Sequence, residues 1–313
     1  MKGLVIRSTG SFCTVKTEDG EVRECKVRGI FRTKGLRTTN PIAVGDRVVV
    51  ETSAAGNDSY YMINEIEPRD NYIIRRSINL SKEAHILAAN VDQAFIVATI
   101  SSPRTSLGFI DRMLINCEAY QIQATIVVNK CDLYTEDSDL DKLAELQDIY
   151  SQAGYDVLLI SAETGFQIDL LKTKMEGKIN LFIGHSGVGK STLVNAIKPN
   201  LKLKTGEISF VHSKGKHTTT FAELFELWEN TWIIDTPGVK EFGIVDMKKE
   251  EIGDYFPEIK RLSEHCRFGN CIHENEPGCA VKEAAEHGDF ASERYNSYLG
   301  LLHSEELNKE SWD

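Results

Sequence analysis

Apolar and polar residues alternate in short runs over the first 70 positions, at residues 4–9, 12–17, 21–27, 47–52 and 60–66. A period of two is the pattern of strands with one face buried. Asp19-Gly20 suits a tight hairpin turn, and Gly10-Ser11 marks a second break. Five short strands without an intervening helix predict a small β-barrel of the oligonucleotide/oligosaccharide-binding (OB) type over residues 1–72.

From about residue 73 the period changes. Residues 94–100 form an apolar run fit for a buried strand, and Ile110, Met113, Leu114 and Cys117 recur at the spacing of one helix face. Strand then alternates with helix: 125–128, a helical stripe over 140–150, then strands at 157–160 and 179–183. Such alternation predicts a parallel α/β sheet over residues 73–245, with ligands at the carboxyl ends of its strands. After Gly243 come charged residues, a cysteine cluster and a helical stretch over 280–302, which predict a mainly α domain over 246–313. The fold class is therefore multidomain.

Composition fits this division. The chain has 313 residues, 41% of them apolar and 27% charged, enough for two or three domains. No apolar run approaches the roughly 20 residues of a membrane span, and the N-terminus lacks a signal-like stretch, so a soluble cytoplasmic protein is expected, with no membrane partner. The net charge of -11 argues against nonspecific coating of nucleic acid. Residues 1–37 nevertheless carry nine basic and four acidic side chains. That local surplus makes the barrel either an RNA contact or an inert spacer with a solvated face.

The chemistry concentrates at strand ends. Strand 179–183 runs into Gly184-His185-Ser186-Gly187-Val188-Gly189-Lys190-Ser191, with Thr192 continuing into a helix. This is a complete phosphate-binding loop: the glycines let backbone N–H groups close around phosphates, at the positive end of a helix. Lys190 is expected to reach the β and γ phosphates and Ser191 to bind Mg²⁺.

Asn129-Lys130-Cys131-Asp132 follows a buried strand. The Asp132 carboxylate can accept from guanine N1–H and the 2-amino group, whereas adenine would leave it unpaired. The alternative is that Asp132 caps the next helix. Ser161-Ala162, after the following strand, supports guanine because its backbone can bond the base oxygen.

Asp235-Thr236-Pro237-Gly238 closes the apolar strand 231–234, 45 residues beyond Lys190. Asp235 is expected to hold Mg²⁺ through water and the Gly238 N–H to sense the γ phosphate. Between them lies Gly215-Lys216-His217-Thr218-Thr219-Thr220, one of whose threonines completes the Mg²⁺ shell, Thr219 being the choice. Val239 follows Gly238 where signalling GTPases place a water-orienting glutamine, so unaided hydrolysis should be slow, with His217 the candidate catalytic residue beside Lys190. An exposed switch histidine without a catalytic role is the alternative.

An ordinary GTPase domain runs phosphate loop, switches, base loop. Here the base loop and Ser-Ala loop come first, which describes the same sheet circularly permuted, its old ends joined near residues 175–178. The second switch then leads directly into the C-terminal domain.

Of seven cysteines, Cys266, Cys271 and Cys279 crowd together with His273 as C-x4-C-x-H-x5-C. Three thiolates and an imidazole suit one structural, tetrahedral Zn²⁺ rather than a disulfide framework.

Taken together, the inverted loop order, Gly-Lys-His-Thr-Thr-Thr, Asp-Thr-Pro-Gly with Val239 following, and the 266–279 cluster containing Glu276-Pro277 resemble the circularly permuted GTPases of small-ribosomal-subunit biogenesis, the RsgA (YjeQ) family. Val44-Gly45-Asp46 and Arg294-Tyr295-x-x-Tyr298-Leu299 also look like that family. The resemblance implies an OB barrel, a permuted GTPase domain and a zinc domain. It further implies 16S rRNA contact, GTPase activity stimulated by the small (30S) subunit in its late maturation, and a hydrolytic role for His217. His185 departs from the amide or proline common in relatives. The competing readings are an RNA-binding assembly factor for which GTP is only a conformational lock, and a regulatory switch acting on a protein partner. A monomer is expected.

Overall fold

The computed structural model describes residues 1–9, 12–28, 41–55, 58–76, 84–199, 222–235 and 247–304. Five strands open the fold: β1 (Lys2–Ser8), β2 (Phe12–Thr17), β3 (Val22–Val27), β4 (Arg47–Ala55) and β5 (Asp58–Ile66). β1 pairs antiparallel with β2 and β4, β2 with β3, and β4 with β5, while β3 runs parallel to β5. Every strand has two neighbours, so the predicted barrel closes on itself. Val5, Cys13, Val15, Cys25, Val48, Val50 and Ile63 fill its interior, as the alternating pattern requires. The turn at Asp19-Gly20 forms with Gly20 at φ +87°. The break at Gly10-Ser11 lies outside the described residues.

Asp46, fully buried, accepts from the Ala43 N–H at 2.9 Å and from Arg69 Nε and Nη2 at 2.6 and 2.7 Å. Gly45 before it stands at φ +87°, and a Cβ there would come within 2.0 Å of the Ala89 carbonyl oxygen. Only glycine fits that crossing.

An antiparallel hairpin, β6 (Tyr72–Arg76) and β7 (Ala84–Ala89), follows the barrel. No local signal marks it, because residues 77–83 contain neither Gly nor Pro. Next come β8 (Gln93–Ala98), α1 (Leu107–Ala119), β9 (Gln123–Val128), α2 (Asp137–Gln152), β10 (Asp156–Leu159), α3 (Ile168–Met175), β11 (Ile179–Ile183), α4 (Lys190–Ile197), β12 (Glu223–Trp228) and β13 (Thr231–Asp235). All residues of β8 and β11 are buried, which is why these strands read as continuous apolar runs.

The chain divides into two compact units: residues 1–94, 169–182 and 191–241, and residues 95–168, 183–190 and 242–313. Within the first, β11 runs parallel to β13, β13 pairs antiparallel with β12, and β12 pairs with β1 of the barrel through Arg7 and Glu223. Lys16 on β2 fastens this junction, its ammonium 2.5 Å from Glu226 and 5.2 Å from the Trp232 ring. Within the second, β10, β9 and β8 lie side by side, with β9 and β10 parallel.

The C-terminal segment begins with a 3₁₀ turn at Lys249–Tyr255, then α5 (Pro257–Ser263), which Pro257 starts at its first turn. The helical stretch expected over 280–302 is two helices, α6 (Ala280–His287) and α7 (Ser292–Leu302). Gly288, at φ +78°, turns the chain left-handed, and its N–H returns to the Ala284 and Ala285 carbonyls, closing α6. Phe256, Ile259, Val281, Phe290, Tyr298, Leu301 and Leu302 form the core of this segment, joined by Ile115 of α1.

Candidate nucleotide site and metal centre

β11 ends at Ile183 and α4 starts at Lys190, so the phosphate loop sits between strand and helix as expected. Gly187 and Gly189 take φ +87° and +96°, and a Cβ on Gly184 would meet the Val97 carbonyl oxygen at 2.4 Å. These constraints explain the glycine spacing. Lys190 folds back over the loop, its Nζ donating to the Gly184 and His185 carbonyls at 2.6 and 2.7 Å. His185 and Ser186 are exposed, Val188 and Ser191 are buried, and Thr192 is half-buried. The His185 ring packs on Phe109 of α1 with centroids 3.7 Å apart. That packing first, and the Lys190 ammonium second, hold its pKa below the ordinary histidine value.

The base loop is bound to this phosphate loop by its own side chains. Asn129, 1% exposed, donates through Nδ2 to the Val188 carbonyl at 2.9 Å, and its Oδ1 accepts from the Ala162 N–H at 3.0 Å. One side chain thus joins three loops. A Cβ on Gly189 would come 2.4 Å from Asn129 Nδ2, so the glycine and the asparagine require each other. Lys130, in the left-handed region at φ +66°, extends Nζ to the carbonyls of Gly187 (2.8 Å) and Ser102 (2.6 Å).

Asp132 is exposed and caps no helix: the short turn Cys131–Leu133 has Lys130 at its N-cap and α2 has Glu136. Its carboxylate instead accepts from Ser161 Oγ at 2.5 Å, while Ser161 Oγ accepts from the Thr164 N–H at 3.1 Å. The carboxylate is therefore aimed rather than merely solvated, which removes the capping alternative. Cys131 turns inward, its Sγ 3.2 Å from the Val128 carbonyl. Tyr134, which no motif marked, fixes the loop by donating to the Asn129 carbonyl at 2.6 Å and accepting from the Ile100 N–H at 3.0 Å.

Asp235 ends β13 as expected, though its side chain lies outside the described residues. So do His217, Thr218, Thr219, Thr220, Thr236, Pro237, Gly238 and Val239.

The second constellation is Cys266, Cys271, His273 and Cys279, whose ligand atoms all lie within 4.8 Å of one another. His273 Nδ1 stands 3.5 Å from both Cys266 Sγ and Cys279 Sγ, which are 3.9 Å apart. Burial pushes the Cys271 thiol up to about 12 and raises that of Cys279 as well, so thiolates here call for a cation at their centre. The surrounding chain is fitted to hold such an ion. Glu276 accepts from the N–H groups of Ile272, Glu274 and Asn275 at 2.9, 3.0 and 3.1 Å. Burial opposes its charge, yet these donors hold its carboxyl below the usual range. Tyr295 and Tyr298 of α7 donate to the carbonyls of His273 and Ile272 at 2.7 and 2.6 Å. Cys279 Sγ, at the N-cap of α6, accepts from the Lys282 N–H at 3.4 Å.

A phosphate loop preceded by an Asn-Lys-x-Asp base loop and a Ser-Ala loop defines a circularly permuted P-loop GTPase, here with a barrel before it and a Cys3His group that could hold a metal ion after it. Residues 2–60 match the RsgA N-terminal domain and residues 66–245 the RsgA GTPase. The chain belongs to the RsgA family. It is 55% identical to "Small ribosomal subunit biogenesis GTPase RsgA 2" of Bacteroides thetaiotaomicron over 309 residues, covering 99% of this chain and 98% of the relative. A relative from Bacteroides fragilis, "Small ribosomal subunit biogenesis GTPase RsgA", is 53% identical over the same shares. Among solved structures, YjeQ from Thermotoga maritima superposes with a TM-score of 0.78 at 37% identity, covering 98% of each chain. The circularly permuted GTPase YloQ superposes with a TM-score of 0.75 at 32% identity, covering 100% of this chain and 96% of that one.

Proposed function

We propose that the chain binds GTP, hydrolyses it to GDP and phosphate, and acts in late maturation of the small ribosomal subunit, which stimulates the hydrolysis. The observation that carries the GTP reading is the aimed carboxylate of Asp132 in a base loop that Asn129 ties to the phosphate loop. The ribosomal role rests on relatives named for small-ribosomal-subunit biogenesis that are more than half identical over nearly the whole chain.

In this reading Asp132 accepts from guanine N1–H and the 2-amino group, and the Ala162 backbone faces the base oxygen. The backbone N–H groups of residues 184–192 wrap the phosphates at the N-terminus of α4. Lys190 releases the Gly184 and His185 carbonyls to pair with β and γ oxygens. Ser191, Thr219 and Asp235 would hold Mg²⁺, which neutralises phosphate charge when bound. His217 is the residue proposed to assist attack by water, since Val239 cannot, and the Gly238 N–H reads the γ phosphate.

The metal at the Cys3His group is proposed to be one structural Zn²⁺. Tetrahedral zinc with Zn–S of about 2.3 Å and Zn–N of about 2.05 Å has S–S edges of about 3.8 Å and S–N edges of about 3.6 Å. The distances among Cys266 Sγ, Cys279 Sγ and His273 Nδ1, 3.9 and 3.5 Å, support that assignment, with Cys271 completing a group whose ligand atoms lie within 4.8 Å of one another.

The division into barrel (1–72), GTPase domain (73–245) and zinc domain (246–313) accompanies this reading, as do a monomeric state, a cytoplasmic location and contact with 16S rRNA through the basic barrel segment and the zinc domain. No helix among the described residues is long and apolar enough to cross a membrane. Calorimetry with GTP and ATP, and co-sedimentation with purified small and large subunits, test the reading. Preference for GTP together with association with small subunits alone supports it. Equal affinity for ATP, or equal association with both subunits, overturns it.

A further inference from the structure

Helix α1 carries two working faces. Ile110, Leu114 and Cys117 are fully buried, the face the sequence predicted. Asp111, Ile115 and Ala119 form a second stripe at i, i+4 and i+8, and Ile115 and Ala119 pack into the C-terminal core. Asp111 meets Arg294 of α7 there: Arg294 Nη1 donates to Asp111 Oδ1 at 2.6 Å, and Nε and Nη2 donate to Glu258 of α5 at 2.6 and 3.2 Å. All three side chains are at most 2% exposed. The guanidinium lies 4.6 Å from the Phe256 ring centroid and 5.7 Å from those of Tyr150 and Tyr155.

This ion cluster grips the start of α1 in particular. Tyr150 Oη donates to Asp111 Oδ1 at 2.8 Å and lies 3.2 Å from the carbonyl of Leu107, the first residue of the helix. Phe109, between those two positions, is the residue that packs on His185 of the phosphate loop at 3.7 Å. Asp111 and Phe109 are about 3 Å apart along the helix axis, so a shift of α1 that moves one moves the other.

We propose that Arg294 is a positioning residue for the nucleotide site: by holding Asp111 it sets the first turn of α1, and through Phe109 it sets the stance of His185 and the phosphate loop. The metal-ordered C-terminal segment and nucleotide affinity are then linked in both directions. This inference rests on the GTP-binding reading above. It concerns contacts that the motif residues of the nucleotide site do not make, and it gives Arg294 of the Arg-Tyr-x-x-Tyr-Leu segment a part in nucleotide binding.

The test is a double-mutant cycle on the full-length, metal-loaded protein, reading the dissociation constant of a fluorescent guanine nucleotide. Arg294→Lys keeps the charge and loses the fork that spans Asp111 and Glu258; Phe109→Leu keeps an apolar side chain and loses the ring. Leu302→Ala opens the apolar core of the segment at a residue that belongs neither to the ion cluster nor to the metal centre, and is the control for general weakening of that core. The expected result is about fivefold or greater loss of affinity in each of the first two variants, no further loss in the double variant, and wild-type affinity in Leu302→Ala. Bound nucleotide should also slow metal loss to a chelator in the wild type and cease to do so in Phe109→Leu. Affinity within twofold of wild type in Arg294→Lys, losses that multiply in the double variant, or an equal loss in Leu302→Ala would each overturn the proposal. If Arg294→Lys does not fold, Asp111→Asn takes its place with the same expected outcomes. A wild-type protein that fails to bind guanine nucleotide fails the GTP reading itself, and this inference with it.

Discussion

Asn129 donates to the carbonyl of Val188 at 2.9 Å, so the loop that selects the base and the loop that holds the phosphates share a hydrogen bond although 59 residues separate them. The same side chain accepts from the Ala162 N–H. Circular permutation has reversed the order of these loops along the chain and kept their junction. Asn129→Ala leaves the Val188 carbonyl and the Ala162 N–H without that partner, at roughly 1–3 kcal/mol for each group left buried. GTP affinity should fall about tenfold or more by calorimetry, with the melting temperature lowered as well. An unchanged affinity would mean that the junction has no bearing on the nucleotide.

Asp132 is exposed and held by Ser161. Asp132→Asn replaces an acceptor-only group by one that also donates, which suits xanthine, whose 2-position carries an oxygen, better than guanine. Preference between GTP and XTP in a competition assay should invert, with GTP weakened by roughly 10⁴-fold. Retained GTP preference would separate Asp132 from base recognition.

Chelation tests the metal site proposed for the C-terminal segment. Zinc sites of this ligand type contribute roughly 10 kcal/mol or more to folding, and helices α5 to α7 pack directly around the Cys3His group. Cys271→Ser, or exhaustive chelation, should lower the bound metal below one ion per chain and reduce the helical signal. Because burial raises the metal-free Cys271 thiol to about 12, metal binding must displace protons, and apparent affinity should fall steeply as pH falls. A full helical signal without metal would show that the core of this segment suffices alone.

Much of this was legible in the sequence, and the limits are physical. The loops 129–132, 161–162 and 184–191 were readable because their chemistry is local: glycine freedom, a lysine, a carboxylate at fixed spacing. Asn129 was read as part of nucleotide binding, whereas its side chain is a buried bridge between loops, a role set by residues distant along the chain. Tyr134 and the Phe109–His185 contact carry no motif, and Arg294 meets Asp111 across 183 positions, a pairing that one sequence does not encode locally. β12 carries no strand signal, because Glu-Leu-Phe-Glu-Leu-Trp is built largely of good helix formers; pairing with β13 and β1 decides it. The 280–302 stretch reads as helical, and Gly288, a single residue inside that pattern, shows the break only through its left-handed geometry.

The buried cluster of Arg294, Asp111 and Glu258 holds two carboxyls against one guanidinium, and burial raises the pKa of Asp111 above its ordinary value despite Arg294. The folded state therefore keeps the Asp111 proton longer than the unfolded state. That contribution to stability is full below the unfolded pKa of about 3.9 and is lost as pH rises through the folded value. Asp111→Asn should be free of this slope, so the stability of the wild type relative to the variant should decline with rising pH in denaturant titrations. A parallel pH dependence in both proteins would contradict it.

The most direct test of a GTPase that answers to the small ribosomal subunit is GTP turnover with and without purified subunits. Alone, the protein should be slow, on the order of 10⁻⁴ s⁻¹ as for a GTPase lacking its water-orienting partner. Small subunits should raise turnover about 10²-fold or more, large subunits should not, and His217→Ala should remove the rise while sparing nucleotide binding. Turnover that is unchanged by small subunits, or raised equally by both, would contradict the account.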